Sequence, residues 1–241
     1  MRLLPPAASD YLEPMCSRYT LTSPPEAVRA YFRYLNEAVF PPRYNIAPSQ
    51  PVAIVRNTPK GEREMALVRW GLIPSWVKDP RAFKMLINAR SESAADKPSF
   101  CAALRHKRCL VPADGFYEWT GSVGGKRPHL VRPRRRGPMG MAAIYENWLG
   151  ADGSEIETMA ILTTAANRAV SVLHDRMPVI IAPEHFDVWL DCRAGTTAEI
   201  MHLLTPAPDG YLDIVEVSRK LNNPRNEGPE VQEPVSTGTL L

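Results

Sequence analysis

No stretch of this chain approaches the length of a membrane-spanning helix, so insertion into a bilayer as a helix is not expected. Residues 1–14 (MRLLPPAASDYLEP) are broken by Pro5, Pro6 and Pro14 and hold no apolar run of signal-peptide length, which argues against export. Cysteine is sparse: Cys16, Cys101, Cys109 and Cys192 form no CxxC, which argues against a structural zinc site or a thioredoxin-type redox pair. In a reducing, cytoplasmic setting all four are expected as free thiols. Metal-ligand spacing is missing among the His and Cys residues, and so is a glycine-rich phosphate loop, so no metal and no cofactor are expected. Net charge is small, at +3, which permits a polyanionic partner without requiring one.

With no internal repeat and no linker, the 241 residues read as one core-bearing α+β domain, rich in hairpins rather than βαβ units. Ser23-Pro24-Pro25-Glu26 resembles a helix opening with Ser as N-cap, followed by an apolar stripe at Val28, Tyr31, Phe32 and Leu35. Tyr44–Gln50 reads as a loop into a hairpin of strands Pro51–Arg56 and Glu64–Gly71. A helix is expected across Pro98–His106, with strands at Pro128–Arg132, Met141–Trp148 and Ile156–Thr163, the last two joined at Gly150–Gly153. Short helices are expected at Ala165–Val172, Pro183–Leu190 and Thr196–Leu204, and strands at Val179–Ile181 and Tyr211–Val217. Residues 1–14 look like a disordered extension or a start placed too early, and 222–241 like a loosely ordered tail.

The chemistry-bearing residues lie apart in sequence. If the chain effectively begins after Met15, Cys16 carries an α-amine and a thiol on adjacent carbons, a 1,2-aminothiol that condenses with an aldehyde to a thiazolidine. The alternative is an ordinary cysteine behind a short leader. Glu118, between Tyr117 and Trp119, either faces solvent or points inward, where desolvation makes it a candidate acid or base. His174, in a cluster with Asp175 and Arg176, is either a satisfied surface histidine or the imidazole of the site. With Asn88 these form an inventory suited to imine formation and proton shuttling, and equally to a thiol hydrolase. Trp76, beside Pro74 in a loop, suits core packing or base stacking. The run Lys126–Arg136 suits phosphate contact or a charged, solvated hairpin.

The pieces Met15-Cys16-Ser17-Arg18-Tyr19, Tyr44-Asn45-Ile46-Ala47-Pro48, Arg69–Trp76, Asn88-Ala89-Arg90-Ser91-Glu92, Arg108–Trp119 and His174–Val179 occur in one order. Together they resemble the SRAP (SOS response-associated peptidase) family, the abasic-site processing proteins, over a domain spanning 15–221. That resemblance implies a barrel-like antiparallel sheet with flanking helices. It also implies a DNA-repair activity in which Cys16 joins abasic single-stranded DNA as a reversible thiazolidine crosslink. Asn88 would position the sugar, and Glu118 and His174 would move protons, in lyase-like imine chemistry. Arg18 and Arg90 would hold phosphates, and Pro48 and Trp76 would wedge and stack. One departure is Ser17, where the family usually has Gly, so a local backbone adjustment is expected there. The competing classes are a cysteine-type peptidase or hydrolase, including self-removal of the residues before Cys16, and a non-catalytic single-stranded DNA-binding module. A cytoplasmic monomer, nucleoid-associated when it acts on DNA, is expected.

Overall fold

The computed structural model describes residues 16–122, 124–193 and 195–235. The expected extension at residues 1–14, Met15, and residues 236–241 of the expected tail lie outside them.

Two hairpins start the fold. β3 (Pro51–Asn57) and β4 (Arg63–Trp70) pair antiparallel from Pro51↔Arg69 to Asn57↔Arg63. The turn between them is closed by Gly61, whose φ of 84° is open to glycine without strain. β9 (Met139–Leu149) and β10 (Glu155–Ala165) pair from Leu149↔Glu155 to Ala143↔Ile161. β6 (Arg108–Ala113) joins the two hairpins, meeting β3 at Val55↔Leu110 and β9 along its whole length. β10 then lies parallel to β4 at Thr158↔Arg69, so the pairing runs β10–β4–β3–β6–β9 and back to β10. A closed five-stranded barrel results, and closure leaves no exposed sheet edge around it. Ile54, Leu110, Met141, Ala143 and Met159 are buried with it.

Short strands decorate the barrel: β5 (Asn88–Arg90) and β11 (Arg176–Pro178) both pair with β10, and β12 (Ile180–Ile181) pairs with β9. A second, five-stranded sheet is built from β1 (Tyr19–Leu21), β2 (Arg43–Ile46), β7 (Gly115–Thr120), β8 (Arg127–Pro133) and β13 (Leu212–Glu216), in the order β13-β8-β7-β1-β2. The chain crosses from barrel to sheet at Ala113-Asp114-Gly115. A β-carbon at Gly115 would fall 2.7 Å from the Val131 carbonyl oxygen, closer than such atoms pack. Trp70 ties the two layers together: its ring meets Tyr19 edge-on at 5.4 Å and its Nε1 donates to the Ile87 carbonyl at 2.9 Å. Helices α1 (Pro25–Phe32), α2 (Ser91–Ala94), α3 (Cys101–His106) and α4 (Phe186–Leu190) flank these layers. The α+β, hairpin-built barrel architecture is thus the one expected.

Several local expectations are corrected. Ser23 does not cap α1; its hydroxyl and N–H both go to the Asp114 carboxylate, at 2.5 and 2.6 Å, and Pro24 occupies the cap position. α1 stops at Phe32 because Arg33 turns left-handed (φ 57°), leaving Leu35 exposed. Residues 43–46 form a strand, not part of a loop. Ala165–Val172 is not helical: β10 continues to Ala165, and the Asn167 side chain accepts the Val170 N–H at 3.0 Å, leaving one turn of 3₁₀ helix at Val170–Val172. Within Thr196–Leu204 only Met201–Leu203 is helical. Residues 222–235 are not loose. Val231 is buried, Val217 bridges Pro234, and Gln232 donates to Thr20 and to the Tyr117 hydroxyl.

Candidate active site

The site begins with a strand register. β1 pairs with β7 at Tyr19↔Phe116, and Tyr117 donates its N–H to the Arg18 carbonyl at 3.0 Å, which draws the residues just before β1 alongside Glu118. Alternation along β7 then separates two faces. Phe116 packs into the main core, while Tyr117 packs with Trp119 under the C-terminal segment. Glu118 takes the inward side and is 4% exposed. Its Oε1 accepts from the Cys16 N–H at 3.0 Å and from the Cys16 thiol at 3.1 Å. One oxygen atom therefore faces both the nitrogen and the sulfur of the same cysteine.

Burial raises the Glu118 carboxyl above the usual carboxylate range, against the opposing pull of the Cys16 hydrogen bonds and of His174. Burial also pushes the Cys16 thiol well up, and the Glu118 carboxylate adds to that; Arg176 acts in the opposite direction. Burial thus works against the charged forms of both groups, with the thiol directly beside the carboxyl. Cys16 has a φ of 47°, in the left-handed region, whereas Ser17 does not. Ser17 itself thus needs no glycine-like φ.

Further sequence-derived residues come from the barrel flank. β11 pairs with β10 at Thr163↔Pro178, Thr164↔Met177 and Ala165↔Arg176, and β5 pairs with the same strand at Ile161↔Asn88 and Thr163↔Arg90. His174 leads into β11. Its Nδ1 lies 3.0 Å from the Arg176 N–H and 2.8 Å from the Asp175 carboxylate. The neutral ring accepts the first and the protonated ring donates to the second, so Nδ1 keeps a partner in either state.

Arg176 is the residue that the sequence left as a member of a surface network. It forms a bidentate pair with Glu92 at 2.6 and 2.8 Å and donates to the Thr163 carbonyl and hydroxyl at 2.7 and 3.2 Å. It braces β11, and with it His174, against α2 and β10. No short-range pattern could have found this pair, whose partners lie 84 residues apart.

The sequence-derived site residues thus divide. Cys16 and Glu118 are in direct contact, with the charges of His174 and Arg176 acting on them. Asn88 and Arg90 share one face of β5, Asn88 half-buried and Arg90 exposed. Trp76 is 58% exposed after β4, edge-on to Phe83. Pro48 is half-buried in the turn entering β3, where Ser49 donates to the Trp70 carbonyl at 2.8 Å. Arg18 donates to Asn45 at 2.8 Å and lies 5.9 Å over Trp119. Asn45, unnoticed in the sequence reading as a structural residue, is buried and also holds the C-terminal segment through the carbonyls of Leu221, Asn223 and Asn226. The basic run is largely the inner strand β8, whose Arg127 and His129 face Glu216, at 3.7 and 3.9 Å.

Among the described residues no cluster of three or more His, Cys, Asp or Glu is arranged to hold a metal ion, and no helix is long and apolar enough to cross a membrane.

Fold and site together define a class: a small α+β barrel protein that presents the cysteine leading its first strand to a buried carboxyl group. The family model described as "SOS response associated peptidase (SRAP)" matches residues 15–224, and the chain belongs to that family. It is 36% identical over 223 residues to the abasic site processing protein YoqW of Bacillus subtilis (strain 168), covering 91% of this chain and 99% of the relative. It is 34% identical to the abasic site processing protein HMCES of Gallus gallus, covering 85% of this chain and 70% of the relative. A crystal structure of a protein from Bacteroides thetaiotaomicron superposes with a TM-score of 0.81 at 26% identity, covering 91% of this chain and all of that one.

Proposed function

We propose that this protein processes abasic sites in single-stranded DNA by forming a reversible covalent crosslink through Cys16. The observation that carries the reading is the single Glu118 oxygen within hydrogen-bond reach of both Cys16 N and Cys16 Sγ. Thiazolidine formation needs both atoms in turn. The freed amine attacks C1′ of the open-chain sugar and a water leaves, giving an imine. The sulfur then adds to the same carbon, its proton passing to Glu118 and on to the imine nitrogen. The sum is aldehyde plus aminothiol giving thiazolidine plus one water. A buried carboxyl with a raised pKa suits that relay, since its proton affinity lies closer to the working pH. His174, which keeps a partner at Nδ1 in either protonation state, would exchange protons during sugar-ring opening and crosslink reversal. Asn88 would orient the sugar, Arg18 and Arg90 would hold flanking phosphates, and Pro48 and Trp76 would keep the strand bent and stacked. Ring closure removes the aldehyde that promotes β-elimination, so the strand is protected from cleavage. The protein would act as a cytoplasmic monomer on nucleoid DNA, with no cofactor.

The amine exists only after the Met15–Cys16 bond is absent. The left-handed φ of Cys16 favours a self-cleaving step there. A non-glycine residue in that region carries roughly 1–2 kcal/mol of strain, which hydrolysis of the preceding peptide bond would relieve. Glu118, whose Oε1 accepts the Cys16 N–H at 3.0 Å, would be the nearby group to exchange a proton with the leaving nitrogen once the peptide bond distorts. The name-giving peptidase chemistry would then be this one hydrolysis, with water adding across the bond to give a carboxylate and an amine.

The test is a denaturing gel of protein beginning at Cys16, incubated with an oligonucleotide carrying one abasic site, either single-stranded or in a duplex. A shifted band with the single strand and little with the duplex is expected. Equal bands would contradict the strand preference, and no band would contradict the crosslink.

A further inference from the structure

We propose that a second pocket, on the outer face of the five-stranded sheet between Arg132 and Arg136, binds a phosphate group independently of the Cys16 chemistry. Leu130 and Arg132 point to the side of β8 opposite the Glu118 face, together with Tyr117 of β7. There the structure holds a cavity of about 210 Å³ lined in part by Thr20, Thr22, Ser23, Arg132, Arg136 and Gln232.

Three features make it an anion site. Arg132 is largely buried, and among the described residues its Nε has no hydrogen-bond partner. A buried donor left in that state is unfavourable by about 1–3 kcal/mol, which an incoming acceptor would recover. Its acidic neighbour, Asp213, stands at 3.9 Å, the outer limit of an ion pair. Burial works against the charge of the Arg132 guanidinium, and the charge of Arg136, which lines the same cavity, adds to that effect. The carboxylate in the lining, Asp114, does not neutralise them by hydrogen bonding. Its oxygens accept the N–H groups of Thr22 and Ser23, both at 2.6 Å, and both hydroxyls. Two guanidinium groups around a concave space call for an anion of high charge density with several acceptors, and a phosphate group offers both.

Thermal unfolding of the full chain in potassium phosphate and in potassium chloride of matched ionic strength tests this, because a ligand specific to the native state raises the midpoint with its concentration. Phosphate is expected to stabilise the wild type beyond chloride. Arg136→Ala, at an exposed loop position, should fold normally and lose phosphate affinity roughly tenfold or more, as for one charge-assisted hydrogen bond. Arg132→Lys should lose affinity too, since a lysine cannot replace the buried Nε donor. Equal stabilisation by the two salts, or a phosphate shift unchanged in Arg136→Ala, would overturn the site. An oligonucleotide lacking terminal phosphates then identifies the source. If it competes with inorganic phosphate, the site takes a strand phosphodiester; if it does not, the site takes a free phosphate ligand.

Discussion

The five-stranded sheet and the barrel flank meet at the candidate site and contribute different things to it. The sheet supplies Cys16 and Glu118, both buried and in direct contact, held by the pairing of β1 with β7. The barrel flank supplies Asn88, Arg90 and Arg176 on two three-residue strands that share β10 as their support, with His174 just before the second. Its charged groups reach solvent or each other: Arg90 is exposed, and Arg176 is anchored by a half-exposed Glu92. Burial shifts the proton affinities of the first pair, while hydrogen bonds brace Arg176 and His174 in the second group. The difference teaches that strand register brings Cys16 and Glu118 into contact and sets Asn88 and Arg90 along β10, whereas Arg176 is fixed by side-chain anchorage to Glu92 and Thr163.

The largest effect should come from breaking the joint between the layers. Trp70 is fully buried, so Trp70→Ala should lower stability by about 3–5 kcal/mol and unfold both layers together, as denaturant titration would report. A biphasic transition would show instead that sheet and barrel are separate units.

Glu118→Gln keeps the shape of the buried pair and removes its proton acceptor. Crosslinking should slow roughly a hundred- to ten-thousandfold with DNA binding retained, measured by single-turnover gel kinetics. The same variant tests the burial effect. Because the native state keeps the Glu118 proton to higher pH than the unfolded chain, its stabilising contribution is complete below the ordinary carboxylate pKa. That contribution fades as pH rises through the raised value. Glu118→Gln should therefore gain stability relative to wild type as pH climbs through that window. A constant difference would mean that burial does not shift Glu118.

On the flank, Arg176→Met should lower stability by about 1–3 kcal/mol, since its hydrogen bonds to Glu92 and Thr163 are lost. It should impair crosslink reversal through a displaced His174, leaving the Cys16–Glu118 contact intact. Leu67 of β4 is 68% exposed, and Leu67→Lys should change stability by no more than about 0.5 kcal/mol.

Much of this was legible in the sequence where the signal is local. Alternation and turn residues mark the β3–β4 and β9–β10 hairpins, and the ordered motifs single out Cys16 and Glu118, which the fold brings into contact. What escaped was set at long range. Ser23 looks like an N-cap, yet Asp114, 91 residues away, takes its hydroxyl and amide. Thr196–Leu204 has a helical apolar pattern, but Ile200, Leu203 and Leu204 are buried in the core with only one helical turn formed. The polar segment after Asn222 reads as a tail, and it is held by the buried amide of Asn45 and by Val231. The Arg176–Glu92 brace likewise joins two motifs that the chain keeps far apart.

The central claim is that Cys16 reacts through its nitrogen and its sulfur together. Its most direct test is the intact mass of the adduct formed between protein beginning at Cys16 and single-stranded DNA with one abasic site. The account predicts the mass of protein plus DNA less one water, resistant to denaturation without added reductant, and no adduct from Cys16→Ala. An adduct of the same mass from Cys16→Ala, or none from protein verified to begin at Cys16, would contradict it.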